Sequence, residues 1–207
     1  MSRDSGPVPG VAGLLLTGGS SRRMGVDKAT LTVDGVTLAE RGARLLQAAC
    51  RPVLEVGPGH APLQAVVEDP AGSGPLAAMA SGGAALRERG HPGPALVMAV
   101  DLPRVSEPLL RFLATFPGDS TVVPFVGGEA QPLLARYSAA ALARAGELVG
   151  PGERSMRALL TALDDLQWAG PRMWSGVAAF GDFEDADTVA DARRLGLGFP
   201  GGGLVEE

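Results

Sequence analysis

The chain has 207 residues, 45% of them apolar, a formal net charge of −5 and one cysteine. That length suits one domain with room for a core, and the apolar content excludes a disordered chain despite 30 Gly and 17 Pro. The apolar runs are far too short for a membrane span, an acidic balance without a basic block argues against nucleic acid, and Cys50, His60 and His91 cannot build a disulfide or a zinc cluster. Met1–Gly10 lacks the apolar stretch of a secretory leader, so the expectation is a soluble, cytoplasmic protein. Of the 18 basic residues 17 are Arg, and there is no Asn or Ile. A GC-rich coding bias accounts for this, and it makes Lys28, the one lysine, a position to question.

In chain order, residues 1–10 read as a flexible tail, 11–196 as one domain, and 197–207 as a second flexible tail rich in Gly. Val11–Leu16 is a short apolar run closed by Gly18-Gly19, as in a buried strand. Leu38–Cys50 has helical spacing, with Cys50 facing the core. Pro52–Val56 and Ala65–Val67 read as strands, and Leu76–Leu86 as an Ala-rich helix ending before Gly90. Ala95–Val100 is an apolar run that stops at Asp101, and Ser106 is placed to cap a helix through Phe116. Thr121–Phe125 and Gln131–Tyr137 read as strands joined by a Gly127-Gly128 turn. Helices are expected over Ala139–Leu148, Arg154–Leu163 and Thr188–Leu195. His60 and His91 fall in loops with no partner at ligand spacing. Strands alternating with helices of this length predict an α/β fold, a three-layer arrangement with a mostly parallel central sheet.

Ligands of such sheets bind beyond the carboxyl ends of the strands, which points to the loop after Leu16 and to Asp101. The loop Leu16-Thr17-Gly18-Gly19-Ser20-Ser21-Arg22-Arg23-Met24-Gly25-Val26-Asp27-Lys28 combines glycines, which bring N–H groups close to a ligand, with hydroxyls and three cations. That suits a polyphosphate, although neither a Walker A loop nor a dinucleotide fingerprint is present. A Gly-rich β–α turn with solvated arginines is the plainer alternative. Asp101 at the end of a buried strand either holds a cation such as Mg²⁺ or begins a turn before Pro103. Asp185 and Asp187, two apart, are expected on one side of a strand, near a helix start that also attracts acidic residues.

The loop resembles the signature Leu-Ala-Gly-Gly-x-Ser-x-Arg-Met-Gly-x-Asp-Lys of the molybdenum cofactor guanylyltransferases, nucleotidyltransferases built on a Rossmann-like sheet. Ser21, Arg23, Met24, Gly25, Asp27 and Lys28 fall in register, with Thr17 in place of the usual Ala. Downstream, Glu68-Asp69, Gly74-Pro75-Leu76-Ala77, Val100-Asp101-Leu102-Pro103, Gln131-Pro132-Leu133, Gly152-Glu153-Arg154 and Asp185-Ala186-Asp187-Thr188 resemble family segments in the same order, so that the likeness spans about residues 11–195. The resemblance implies transfer of GMP from GTP to the terminal phosphate of a molybdopterin-type cofactor, with release of pyrophosphate. It implies Lys28, Arg23 and Asp101 as the catalytic set and Mg²⁺ on Asp101. Leu16, Thr17, Gly18, Gly19, Ser21, Lys28, Asp69, Gly74 and Asp101 would contact the nucleotide, and Asp185 and Asp187 would lie toward the acceptor. Molybdoenzymes or cofactor carriers would receive the product. Near Glu55-Val56-Gly57 relatives often present an Asn to the nucleotide, and at Asp185-Ala186-Asp187-Thr188 they have Asn-x-Asn-Thr or Asp-x-Asp-Thr; this chain has no Asn and carries the second pattern. A cytidylyltransferase or another small-phosphate nucleotidyltransferase is the nearest alternative, followed by a non-catalytic nucleotide-binding homologue.

Overall fold

The apolar run after Gly10 folds as strand β1 (Ala12–Leu16), every residue of it buried. A computed structural model describes residues 6–18, 25–68 and 72–200 of the chain. β1 pairs in parallel with β4 (Val53–Val56), and β4 with β5 (Gln64–Val66). On its other side β1 pairs in parallel with β6 (Ala95–Ala99). The sheet continues through β9 (Leu134–Tyr137), which runs antiparallel, to β7 (Thr121–Val126) and β10 (Leu166–Ala169), giving the order β10-β7-β9-β6-β1-β4-β5. A two-strand hairpin, β2 (Thr32–Val33) with β3 (Val36–Thr37), lies apart from this sheet.

Alternation along the strands gives the sheet two apolar faces. Leu15, Leu96 and Met98 pack with α1 (Leu38–Ala49) and α3 (Glu107–Ala114). Leu14, Leu16 and Val97 pack with α2 (Pro75–Glu88), α4 (Ala139–Val149) and α5 (Met156–Thr161). The helices start where the sequence offers caps: the Thr37 hydroxyl accepts from the Glu40 N–H at 3.1 Å, and the Ser138 hydroxyl from the Ala141 N–H at 3.0 Å. The expected three-layer α/β architecture with a mostly parallel sheet is the observed one.

Several local expectations are corrected. Ser106 sits at the N-cap of α3, but its hydroxyl bonds the Asp182 carboxylate rather than the helix. The Gly127-Gly128 turn joins β7 to a short strand β8 (Glu129–Ala130), and the return strand starts only at Leu134. Asp185 and Asp187 lie in an extended loop, not a strand, between a 3-10 turn (Phe180–Phe183) and α7 (Val189–Arg194). The helix α6 (Pro171–Trp174) and the strand β10 carry no clear sequence signal and were not expected. Of the segments read as loose tails, residues 1–5 and 201–207 lie outside the described residues. The inner part of each is tied down: the Val8 N–H donates to the Ala49 carbonyl at 2.8 Å, and Thr32 and Gly198 exchange backbone hydrogen bonds at 2.9 and 2.8 Å. Among the described residues no helix is long and apolar enough to cross a membrane.

Candidate active site

From β1 the chain moves outward to β4 and β5, then returns to add β6 on the opposite side of β1. The border between β1 and β6 is therefore a topological switch point, where the loops leaving adjacent strands diverge and open a crevice. A cavity of about 240 Å³ occupies it, lined by Leu16 at the end of β1 and Thr17 and Gly18 after it, by Val100 and Asp101 after β6, and by Asp27, Lys28, Glu68, Gly74 and Pro75.

Lys28 begins a single 3-10 turn (Lys28–Thr30) whose N-cap is Asp27: its carboxylate accepts from the Ala29 N–H at 3.0 Å. From there the ammonium donates to Asp101 Oδ2 at 2.8 Å and to Asp187 Oδ1 at 2.5 Å. The Lys28 and Asp101 side chains are only 18% and 23% exposed, so their ion pair is screened less than a surface pair. Burial pulls the Lys28 pKa down, but Asp101 and Asp187 outweigh it and leave it above the ordinary lysine value. The Ala186 N–H donates to the Asp101 carbonyl at 3.0 Å, which brings the acidic loop onto the end of β6. Ala186 is buried while Asp185 and Asp187 are exposed. The Asp185 pKa is raised, first by burial and then by repulsion from Asp187 and Asp101, with Lys28 opposing.

Bonded to the cavity residue Thr17, Glu55 stands in the buried strand β4 with no exposed surface. Its carboxylate accepts from the Thr17 hydroxyl at 2.5 Å and from the N–H groups of Gly59, His60 and Ala61 at 3.0, 2.7 and 2.7 Å. The loop after β4 thus wraps around one buried charge, which is how a carboxylate without a basic partner can be accommodated in a sheet. That wrapping brings the His60 ring to 2.8 Å from Asp27 Oδ2, so His60, although a loop residue as expected, does have a partner. Position 57 cannot carry the Asn that relatives often present nearby. A Cβ there would lie 2.1 Å from Thr17 Oγ1 and 2.8 Å from the Gly18 nitrogen. Thr17 in place of Ala, Glu55 and Gly57 are one coupled arrangement.

The structure gathers Leu16, Thr17, Gly18, Lys28, Gly74 and Asp101 around the one cavity and attaches Asp187 to it through Lys28. Gly19, Ser21, Arg23 and Asp69 lie outside the described residues. Cys50 follows α1 and is fully buried, its thiol pushed up to about 12 by that burial, so it is not a nucleophile. The sequence assigns no role to Glu55, Glu68 or His60, although Glu68 falls in the family-like segment Glu68-Asp69 and His60 reads as a loop residue. An acid within the run Val-Leu-Glu-Val was the available signal for the first, whereas the partners of the other two depend on how the loops close.

A family model described as the MobA-like NTP transferase domain matches residues 13–166. The chain is 36% identical over 178 residues to a probable molybdenum cofactor guanylyltransferase of Chloroflexus aggregans, covering 79% of this chain and 82% of that protein. It is 39% identical over 166 residues to a protein of the same name from Mycobacterium tuberculosis, covering 76% and 82%. Its fold is similar to the crystal structure of molybdopterin-guanine dinucleotide biosynthesis protein A from Archaeoglobus fulgidus, with a TM-score of 0.73, 21% identity, and 88% and 95% of the two chains covered. With a Rossmann-like sheet, a crevice at its switch point and this extent of likeness, the chain belongs to the MobA-like NTP transferase family and is a nucleotidyltransferase.

Proposed function

We propose that the chain is a molybdenum cofactor guanylyltransferase, moving GMP from GTP to the terminal phosphate of a molybdopterin-type cofactor. The observation that carries the reading is the Lys28 ammonium held at the mouth of the switch-point cavity by Asp101 and Asp187. The proposal takes residues 11–196 as one nucleotidyltransferase domain, with a molybdoenzyme or cofactor carrier receiving the product.

An oxygen of the acceptor phosphate forms a bond to the α-phosphorus of GTP, the bond from that phosphorus to the bridging oxygen breaks, and pyrophosphate leaves with the electron pair. The nucleophile is already anionic, so no strong general base is required. The demand is for in-line positioning and for neutralising charge on the phosphates. Lys28 binds the triphosphate, exchanging carboxylate oxygens for phosphate oxygens, with Arg23 and the N–H groups of the 16–21 loop assisting, Gly19 and Ser21 among them. Leu16, Thr17, Gly18, Asp69 and Gly74 contact the nucleotide, and Asp185 and Asp187 face the acceptor.

Among the described residues no group of three acidic, His or Cys side chains is set to hold a metal ion. Asp101 and Asp187 meet at one ammonium, however, and two carboxylates completed by substrate phosphates are an oxygen set that fits Mg²⁺. Asp101, with Asp187 beside it, would hold the ion, which when bound supplies positive charge to the phosphate oxygens.

Turnover measured side by side with GTP, CTP, UTP and ATP, in the presence of Mg²⁺ and a molybdopterin acceptor, tests the assignment. GTP is expected to be preferred, with stoichiometric pyrophosphate. Preference for CTP or UTP, or transfer only to a different phosphorylated acceptor, would overturn it.

A further inference from the structure

Two buried side-chain polar atoms have no hydrogen-bond partner among the described residues, Trp174 Nε1 and Glu68 Oε2. They differ in surroundings. Trp174 packs against the rings of Phe180 and Phe183, away from the cavity lining, and an unpaired indole N–H is a neutral group. Glu68 lines the cavity, is only 7% exposed, and leaves a carboxylate oxygen without a donor. That is the more costly defect, and one that a ligand can remove.

We infer that Glu68 is a specificity-determining residue that accepts hydrogen bonds from the donor edge of the guanine base. The inference rests on the GTP reading above and deepens it. Glu68 Oε1 accepts from the Gly72 N–H at 2.9 Å, which fixes the carboxylate on the wall and leaves Oε2 for a ligand. The opposite wall is made to fit: a Cβ at position 18 would stand 3.2 Å from Glu68 Oε1, so the glycine there keeps the space beside the carboxylate open.

An ionised carboxylate only accepts hydrogen bonds. Guanine presents two adjacent donors, N1–H and the 2-amino group, along one edge. Adenine and cytosine each pair one amino group with a ring nitrogen that accepts, and that nitrogen would face the carboxylate with its lone pair. Uracil offers one N–H between two carbonyl oxygens. Of the four bases, guanine alone offers a carboxylate a donor pair. Ribose hydroxyls are the competing source of donors, and the experiment separates them.

Affinities of the wild-type chain and of Glu68→Gln for GTP, ITP and 2′-deoxy-GTP, measured by titration calorimetry with Mg²⁺, test the inference without relying on turnover. ITP lacks only the 2-amino group, and 2′-deoxy-GTP only the 2′-hydroxyl. Wild type is expected to bind ITP roughly 10-fold or more weaker than GTP, the scale of one hydrogen bond to a charged group. In Glu68→Gln the GTP affinity is expected to fall by a similar factor and the GTP-to-ITP ratio to approach one, with the 2′-deoxy-GTP discrimination unchanged. Equal binding of GTP and ITP by the wild type overturns the inference whether or not the variant folds. A preserved ratio in the variant, or loss of the 2′-deoxy discrimination instead, also overturns it and leaves the GTP reading standing. No binding of GTP at all, or tighter binding of CTP, overturns both.

Discussion

Glu55, in β4, and Asp101, just after β6, are both carboxylates near the crevice between β1 and β6, yet their charges are balanced in different ways. Glu55 is held by three backbone N–H groups and a buried hydroxyl, donors that cannot leave without unfolding the loop after β4. Asp101 is balanced by one ammonium at the end of a four-carbon side chain, shared with the exposed Asp187. The first arrangement is scaffold. The second can be rewired, because a phosphate competing for Lys28 and a cation competing for Asp101 cost the fold little. The contrast separates residues whose loss should appear in stability from those whose loss should appear in turnover.

The largest expected effect falls on Asp101. Asp101→Ala should lower nucleotidyl transfer by at least ~10²-fold, the scale of removing one preorganised electrostatic group, while thermal unfolding stays cooperative. Glu55→Ala should give the reverse pattern. With its N–H donors left unpaired, stability should fall by about 2–3 kcal/mol in denaturant titration, with activity retained in whatever fraction remains folded. Next comes Lys28→Arg, expected to cost roughly 10-fold in turnover. A planar guanidinium must be re-aimed as charge moves from ground state to leaving group, whereas a compact ammonium follows it.

The smallest effect concerns Asp185. Its folded pKa is raised, so from the ordinary value of 3.8 up to that raised value the folded state keeps a proton that the unfolded state releases. This group's contribution to stability therefore falls as pH rises through that window and stays unfavourable above it. Asp185→Asn should flatten that slope and give a slightly higher Tm at pH 7, and a lower Tm would show that attraction to Lys28 outweighs the repulsion.

What could be read from the sequence follows the range of the interactions involved. The buried strands β1 and β6 and the helix α1 are legible because their signals, apolar runs and helical spacing, are local. Placing Lys28 and Asp101 at one site required only the rule that ligands collect beyond the carboxyl ends of parallel strands. The partners of Glu55 were not legible, since they come from a loop that closes back on its own strand. Nor was the diversion of the Ser106 hydroxyl to Asp182, 76 positions away in sequence. Asp185 and Asp187 were legible as an acidic pair but not as a loop, because their alternation around buried Ala186 looks the same in either.

The most direct test of the account is Lys28→Ala, assayed for pyrophosphate release from GTP with molybdopterin acceptor and Mg²⁺, alongside thermal unfolding of the same sample. A loss of at least ~10²-fold is expected in a protein that still unfolds cooperatively. Near-normal turnover would contradict it.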